Sequence, residues 1–162
     1  MKENEINPRI SRAIALFESG YNCSQAVFMA YADTYGIEEK LAAGLSTSFG
    51  GGMGRMREVC GALSGACMLL GLEYPHNDPT DKTSKDINYK VVQRVAKAFK
   101  TEMGSYICAD LLTLKREPQS PESAERTQKY YDLRPCTRCV AVAADIVGNE
   151  IDKNNRDEHN KK

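Results

Sequence analysis

The chain has 162 residues, long enough for one domain with a sizeable core, and its 22 basic and 22 acidic residues give a formal net charge of zero. This balance argues against a nucleic-acid-binding protein, which usually carries a basic excess. The N-terminus is polar, and no apolar run reaches the roughly 20 residues of a membrane span. We therefore expect a cytoplasmic protein with no nucleic-acid or membrane partner.

Apolar residues recur at helical spacing from the start of the chain, and capping residues mark where the helices begin. Asn7 followed by proline is typical of a helix start, and Gly20 is predicted to end that helix. Asn22, with Gln25 three residues later, has the pattern of a capping box and opens the second helix. A shorter third helix is predicted over 38–46.

A glycine-rich segment interrupts the helices in the middle of the chain. Four glycines in five positions exclude regular helix there and predict a tight turn; they are Gly50, Gly51, Gly52 and Gly54. Helix is predicted to resume over 58–70 and to stop at Gly71. Within it, Gly61 and Gly65 are four residues apart, so one side of this helix should allow close approach of another backbone.

The second half of the chain also reads as helical. Asp78-Pro79 is predicted to cap a long helix that ends at Met103, and Ser105 should cap the next one. A polar helix is predicted over 122–131, and a last helix over 135–147, ended by Gly148. No convincing strand pattern is present, so we predict an all-α, single-domain bundle of about seven or eight helices, with the domain at 1–148 and a frayed polar tail at 149–162.

Four of the six cysteines fall at predicted helix starts, which is the best functional clue in the sequence; they are Cys23, Cys60, Cys108 and Cys136. A helix start offers free N–H groups and a partial positive charge, which lower a thiol pKa and favour the reactive thiolate. Cys136 and Cys139 also form a C-x-x-C motif, which is typical of redox or metal chemistry. Cys67 alone is more typical of a core residue.

The glycine-rich segment does not match a nucleotide-binding loop. It ends in Gly54-Arg55-Met56, whereas a P-loop needs Gly-Lys followed by Ser or Thr. We interpret it as a turn that brings backbone close to the cysteines or to a bound anion, which makes its four glycines with Arg55 candidate cofactor-binding residues. Arg55, Arg57 or Arg134 would help to lower thiol pKa values, although solvated arginines are an equally good interpretation. Neither His76 nor His159 has a partner at metal-ligand spacing.

Between Tyr21 and Val147 the chain resembles the redox-active proteins named for the cysteine pattern C…GCAxxG…C…C. Four blocks in the same order carry the resemblance: Tyr21-Asn22-Cys23-Ser24-Gln25, Phe49 to Ala66, Gly104 to Leu112, and Cys136-Thr137-Arg138-Cys139. Val59 stands where the family name has Gly, and Cys67 and Cys139 are extra to the family's four cysteines. The resemblance implies a helical fold with thiol redox activity or cofactor binding.

Two functional hypotheses follow, and a third interpretation is a helical interaction protein with simply buried cysteines. In the first, the chain is a thiol–disulfide oxidoreductase with an unidentified redox partner protein. Four cysteines converge in one cleft, namely Cys23, Cys60, Cys108 and Cys136, and Cys139 is a candidate for the local resolving partner of Cys136. In the second, Cys23, Cys60, Cys108 and Cys136 bind an iron–sulfur cluster or another metal. A similar domain in some split-Soret cytochromes suggests the iron–sulfur option. Attacking and resolving roles and assembly into a homo-oligomer stay open.

Overall fold

Helices dominate the computed structural model, which describes residues 6–162. They are α1 (Pro8–Glu18), α2 (Cys23–Ala32), α3 (Glu39–Ser46), α4 (Gly50–Met53), α5 (Gly61–Glu73), α6 (Lys82–Met103), α7 (Cys108–Leu111), α8 (Gln128–Leu133) and α9 (Cys136–His159). α4 is a glycine turn with left-handed φ at Gly51 and Gly52, so eight regular helices remain in residues 6–162. The β-structure in this part of the chain is one isolated bridge, between Val59 and Ile107. The all-α prediction is confirmed.

The predicted helix starts are set by side-chain caps. Asn7 Oδ1 accepts a hydrogen bond from the backbone N–H of Arg9 at 2.9 Å, and Pro8 occupies the first helical position. At α2, Asn22 and Gln25 bond to each other's backbone N–H groups at 3.0 Å, which is the predicted capping box. These caps satisfy N–H groups that would otherwise lack partners.

α2 and α5 are packed closely at the centre of the fold. Both are apolar on nearly every side, because α2 is also covered by α1, α3 and α9, and α5 is also covered by α9 and α6. Gly65 makes the close approach possible: a Cβ added there would lie 2.6 Å from the carbonyl oxygen of Ser24. The prediction that the glycines of this helix admit another backbone is confirmed.

Two predicted boundaries of α5 were wrong. The helix begins at Gly61 rather than at Glu58, because Val59 is taken into the bridge with Ile107 and Cys60 is the N-cap. It continues through Gly71 to Glu73, since Gly71 is exposed and nothing forces a left-handed conformation there.

The prediction that Gly148 ends the last helix was also wrong, and so was the frayed tail. α9 continues to His159, and Gly148 is buried where a Cβ would lie 2.2 Å from the hydroxyl oxygen of Tyr31. Just beyond it, Glu150 accepts hydrogen bonds from Tyr74 and Arg94. Packing and this buried carboxylate therefore hold the helix together where the sequence becomes polar. The domain boundary at residue 148 stays a prediction.

The segment between α7 and α9 has less helix than predicted. α7 is a single turn, and α8 covers Gln128–Leu133 instead of 122–131, with no fully buried residue. α6 ends at Met103 as predicted, but it starts at Lys82, where Asp81 rather than Asp78 supplies the cap. None of the helices in residues 6–162 has the length and apolar character required to cross a membrane.

We predict opposite effects of the same substitution at two glycines of α5. Gly65→Ala should lower the free energy of unfolding by roughly 1–3 kcal/mol, because its methyl group would meet the α2 backbone. Gly71→Ala should raise it by roughly 0.5–1 kcal/mol, since no atom lies within 4 Å of its added Cβ. Urea unfolding followed by circular dichroism measures both, and equal effects at the two sites would contradict the packing described.

Candidate functional site: a cysteine cavity

Five free cysteines line one cavity of about 60 Å³; they are Cys23, Cys60, Cys108, Cys136 and Cys139. The structure therefore brings together all the thiols proposed from the sequence. Cys60, Cys108 and Cys139 are buried, whereas Cys23 and Cys136 are half-buried. Cys67 is half-buried in α5 and lies outside this cavity. We call this space the cysteine cavity.

Helix starts supply four of these thiols, as predicted. Cys23, Cys108 and Cys136 are the first residues of α2, α7 and α9, and Cys60 is the N-cap of α5. Cys139 follows one turn into α9. The bridge aligns two of these starts: the N–H of Cys60 donates to Tyr106 O at 2.8 Å, and that of Cys108 donates to Glu58 O at 2.6 Å. Because side chains alternate along such a pair, Cys60 and Cys108 lie on the same face of it.

The glycine turn lets the surrounding chain approach the thiols. A Cβ at Gly52 would lie 2.7 Å from Cys108 Cβ, and one at Gly50 would lie 2.3 Å from the Asn22 side chain. Gly61 also has no room for a side chain, because its Cβ would lie 2.6 Å from Cys23 Sγ. The predicted close approach of backbone to the cysteines is confirmed. Gly51 lines the cavity, and a cofactor-binding role for the turn stays a prediction.

Three arginines line the cysteine cavity: Arg57, Arg126 and Arg134. Arg57 is only 2% exposed, and its Nη1 donates to Cys108 Sγ at 3.5 Å. The thiol that it contacts is thus Cys108. Arg55 does not line the cavity, because its Nε donates to Ser120 O at 2.7 Å. Arg126 was missed by the sequence analysis, since no motif marks it.

Residues 112–135, here called the strap, cover the cavity and carry Arg126. Its guanidinium lies 4.6 Å from the ring centroid of Phe17 and 4.8 Å from that of Tyr130. The same group donates to Phe17 O and Tyr21 O, each at 3.0 Å. On the other side, the N–H of Gln119 donates to Arg55 O at 3.0 Å. A few polar contacts and stacked rings therefore hold the strap in place.

The expectation of lowered thiol pKa values was wrong for this state. Burial, followed by repulsion from a charged Cys60, raises the pKa of Cys23 to about 12. Burial and the neighbouring Cys23 raise the pKa of Cys136 to about 12 as well. Hydrogen bonding to Cys139, followed by burial, raises the pKa of Cys60 well above the ordinary value. Loss of water and mutual repulsion thus outweigh the helix starts.

Cys108 differs from its neighbours in having a cationic partner. Burial raises its pKa, but the hydrogen bond from Arg57 and the positive charge of that guanidinium act in the opposite direction, as does Arg134. An opposite charge close to a thiol favours the thiolate. Cys108 is therefore the cavity thiol with the most direct stabilisation of its charged form.

The same side chains do not form a site for a single metal ion. Among residues 6–162, no group of three or more His, Cys, Asp or Glu side chains is arranged to hold one. The cysteines as placed thus do not fit a zinc-type centre. The iron–sulfur hypothesis stays a prediction.

We predict that the reduced protein becomes less stable between about pH 8.5 and 10. The unfolded chain loses its thiol protons near pH ~8.5, whereas Cys23 and Cys136 keep theirs in the folded state up to about pH 12. Because the unfolded state then binds fewer protons, the free energy of unfolding falls by ~1.4 kcal/mol per pH unit for each such thiol. Urea unfolding at several pH values under reductant should show a shallower slope for Cys23→Ser/Cys136→Ser. An equal dependence of the unfolding free energy on pH in the variant and the unchanged protein would contradict the raised pKa values of Cys23 and Cys136.

Comparison with known proteins places the chain by its cysteine pattern. Its residues 21–150 match the model of the family described as "Putative redox-active protein (C_GCAxxG_C_C)". Comparisons with curated proteins and with solved structures gave no match. The matched region covers most of the chain and contains every cysteine that lines the cavity. The chain therefore belongs to the C_GCAxxG_C_C family of redox-active proteins.

Proposed function

We propose that this protein is a thiol–disulfide redox protein that reduces, or in reverse oxidises, a disulfide of a partner molecule. The observation that carries the proposal is the convergence of five free thiols from separate helices on one cavity, with the Arg57 guanidinium against one of them. Thiol–disulfide exchange needs an attacking thiolate and a second thiol within reach. The cysteine cavity supplies candidates for both.

Cys108 is the candidate for the attacking thiolate. Its sulfur is the one that accepts a hydrogen bond from Arg57, at 3.5 Å. The thiolate is the nucleophile in disulfide exchange, so the thiol with the best-stabilised charge should react first. Burial keeps this preference modest, so Cys108 loses its proton to solvent and meets the partner disulfide only once the cavity is opened.

Cys60 is the candidate for the resolving thiol. It lies on the same face of the bridge as Cys108, and a charge on either sulfur raises the energy of a charge on the other. Cys139 raises the pKa of Cys60 and lines the same cavity, so it provides a further thiol near Cys60. Cys60 is therefore near both Cys139 of the C-x-x-C motif and Cys108, which lies on the same face of the bridge.

The exchange then proceeds in two balanced steps. The Cys108 thiolate attacks one sulfur of an organic disulfide, so that a mixed disulfide forms and the other sulfur leaves as a thiolate. Cys60, after losing its proton to solvent, attacks Cys108 Sγ; the Cys60–Cys108 disulfide forms and the second partner sulfur leaves. Two electrons pass to the partner, which takes up two protons, and the protein dithiol becomes a disulfide.

Access to the thiols depends on the strap. Cys60 and Cys108 are only 5% and 8% exposed, so a disulfide cannot reach them while the strap is closed. The strap contributes no fully buried residue from α8 and is held by contacts such as those of Arg126. Segments with few buried contacts open locally at low cost. Opening of the strap is therefore part of the proposed reaction.

We predict that Cys108→Ser slows the reduction of dithiodipyridine by the reduced protein by about tenfold or more, because the stabilised thiolate is lost. Cys67→Ser should react like the unchanged protein, since Cys67 lies outside the cavity. Absorbance of the released thiopyridone measures the rate. Cys60→Ser should instead accumulate a mixed disulfide on Cys108, visible by mass spectrometry.

A Cys108→Ser variant that reacts at the unchanged rate would rule out this assignment. The unchanged protein, purified anaerobically, should also be analysed for iron and labile sulfide. Stoichiometric amounts of both would overturn the thiol–disulfide proposal in favour of the iron–sulfur hypothesis.

We also predict that Arg126→Ala accelerates alkylation of the cavity thiols by iodoacetamide, by about tenfold, because loss of the stacked guanidinium makes strap opening less costly. Arg116→Ala is the matched control on the same strap, since Arg116 forms only an exposed ion pair with Asp110. Peptide mapping with Cys67 as the internal reference measures the rates. Equal acceleration by both variants would show that Arg126 does not hold the strap.

A further inference from the structure

Arg57 is buried more deeply than most arginines, and its backbone has an uncommon conformation. It follows the glycine turn with a left-handed φ of 60°, and its N–H donates to Gly51 O at 3.2 Å. A left-handed conformation is uncommon for a residue with a side chain. Its persistence here, with the side chain only 2% exposed, directs the guanidinium into the cysteine cavity.

The hydrogen bonds of Arg57 are incomplete. Nε donates to Gln119 Oε1 at 2.9 Å and Nη1 donates to Cys108 Sγ at 3.5 Å. Nη2 is buried and has no hydrogen-bond partner. No ion pair joins Arg57 to a carboxylate in the part of the chain that the structure describes. A buried charge without a counter-charge is costly. An anion bound at Nη2 would supply both the missing acceptor and the missing counter-charge.

The rest of the cavity has the same sign of charge. Arg126 and Arg134 also line it, and both guanidinium groups stack on Tyr130, at 4.8 and 4.4 Å from the ring centroid. Of the described residues that line it, none is Asp or Glu. Burial raises the pKa of Cys108, which leaves that thiol largely protonated near neutral pH. The three cations therefore lack a fixed anionic partner in the reduced protein.

We propose that the cysteine cavity binds a small inorganic oxyanion, with Arg57 Nη2 as the principal donor. The planar guanidinium suits an oxyanion because its N–H groups match the spacing of two oxygens. While the strap is closed, the volume of about 60 Å³ admits a group of only a few non-hydrogen atoms and is too small for a nucleotide or a peptide. This site depends on Arg57 and not on the thiol–disulfide reaction proposed above.

Titration calorimetry with sulfate, which does not react with thiols, tests the site in the reduced full-length protein at constant ionic strength. We expect one saturable site, and about tenfold weaker binding to Arg57→Lys, which keeps the charge but loses the fork of donors. Arg55→Lys is the matched control, because Arg55 is on the same turn, also has a left-handed φ and does not line the cavity. It should bind within about twofold of the unchanged protein.

A further measurement keeps the outcome decisive. Because sulfate does not react with thiols, its binding tests this site separately from the redox proposal. If Arg57→Lys does not fold, sulfate should slow iodoacetamide modification of Cys108 relative to Cys67 in the unchanged protein. The proposal is overturned by the absence of saturable binding to the unchanged protein, by equal losses in the two lysine variants, or by no protection of Cys108.

Discussion

The close contact between α2 and α5 is the constraint on which the site depends. Gly61 and Gly65 allow the two backbones to approach until Cβ atoms would collide with Cys23 Sγ and with Ser24 O. This approach places Cys23 beside the start of α5 and therefore beside Cys60. The remaining thiols are added around this pair, by the bridge that aligns Cys108 and by α9, which packs on both helices. Glycine in a helix costs stability, and here the cost is offset by dense packing.

Two opposing effects set the pKa values of the cavity thiols: helix N-termini favour the thiolate, and burial disfavours it. Partial charges at the N-termini of α2, α7 and α9 favour thiolates, but their influence is limited to the first turn. Removal of water acts on every thiol, and each additional thiolate repels the others. A cluster of this kind stabilises one negative charge far better than several. The contact with Arg57 favours the Cys108 sulfur as the place of that single charge.

Sequence patterns correctly predicted those features of the fold that depend on interactions between residues close together in the chain. The caps at Asn7 and Asn22, the glycine turn and the helix starts at the cysteines all follow from side-chain and backbone preferences within a few residues. Apart from the convergence of the thiols and the close approach at the glycines of α5, features that depend on distant residues were missed. The polar end of α9 is helical because Glu150 meets Tyr74 and Arg94, and the thiol pKa values rise because of burial, which spacing alone does not reveal. Arg126 gave no signal, since its carbonyl partners and the Phe17 ring belong to a distant segment.

The thiols of the cavity come from positions spread over more than 110 residues, from Cys23 to Cys139. Their proximity therefore exists only after the chain has folded, and a nascent polypeptide carries six independent sulfhydryls. Six cysteines allow 15 complete pairings. Exposure to oxidant before folding would distribute crosslinks among these alternatives, whereas oxidation afterwards is restricted to neighbours in the native arrangement. Folding before any oxidation therefore limits which disulfides can form.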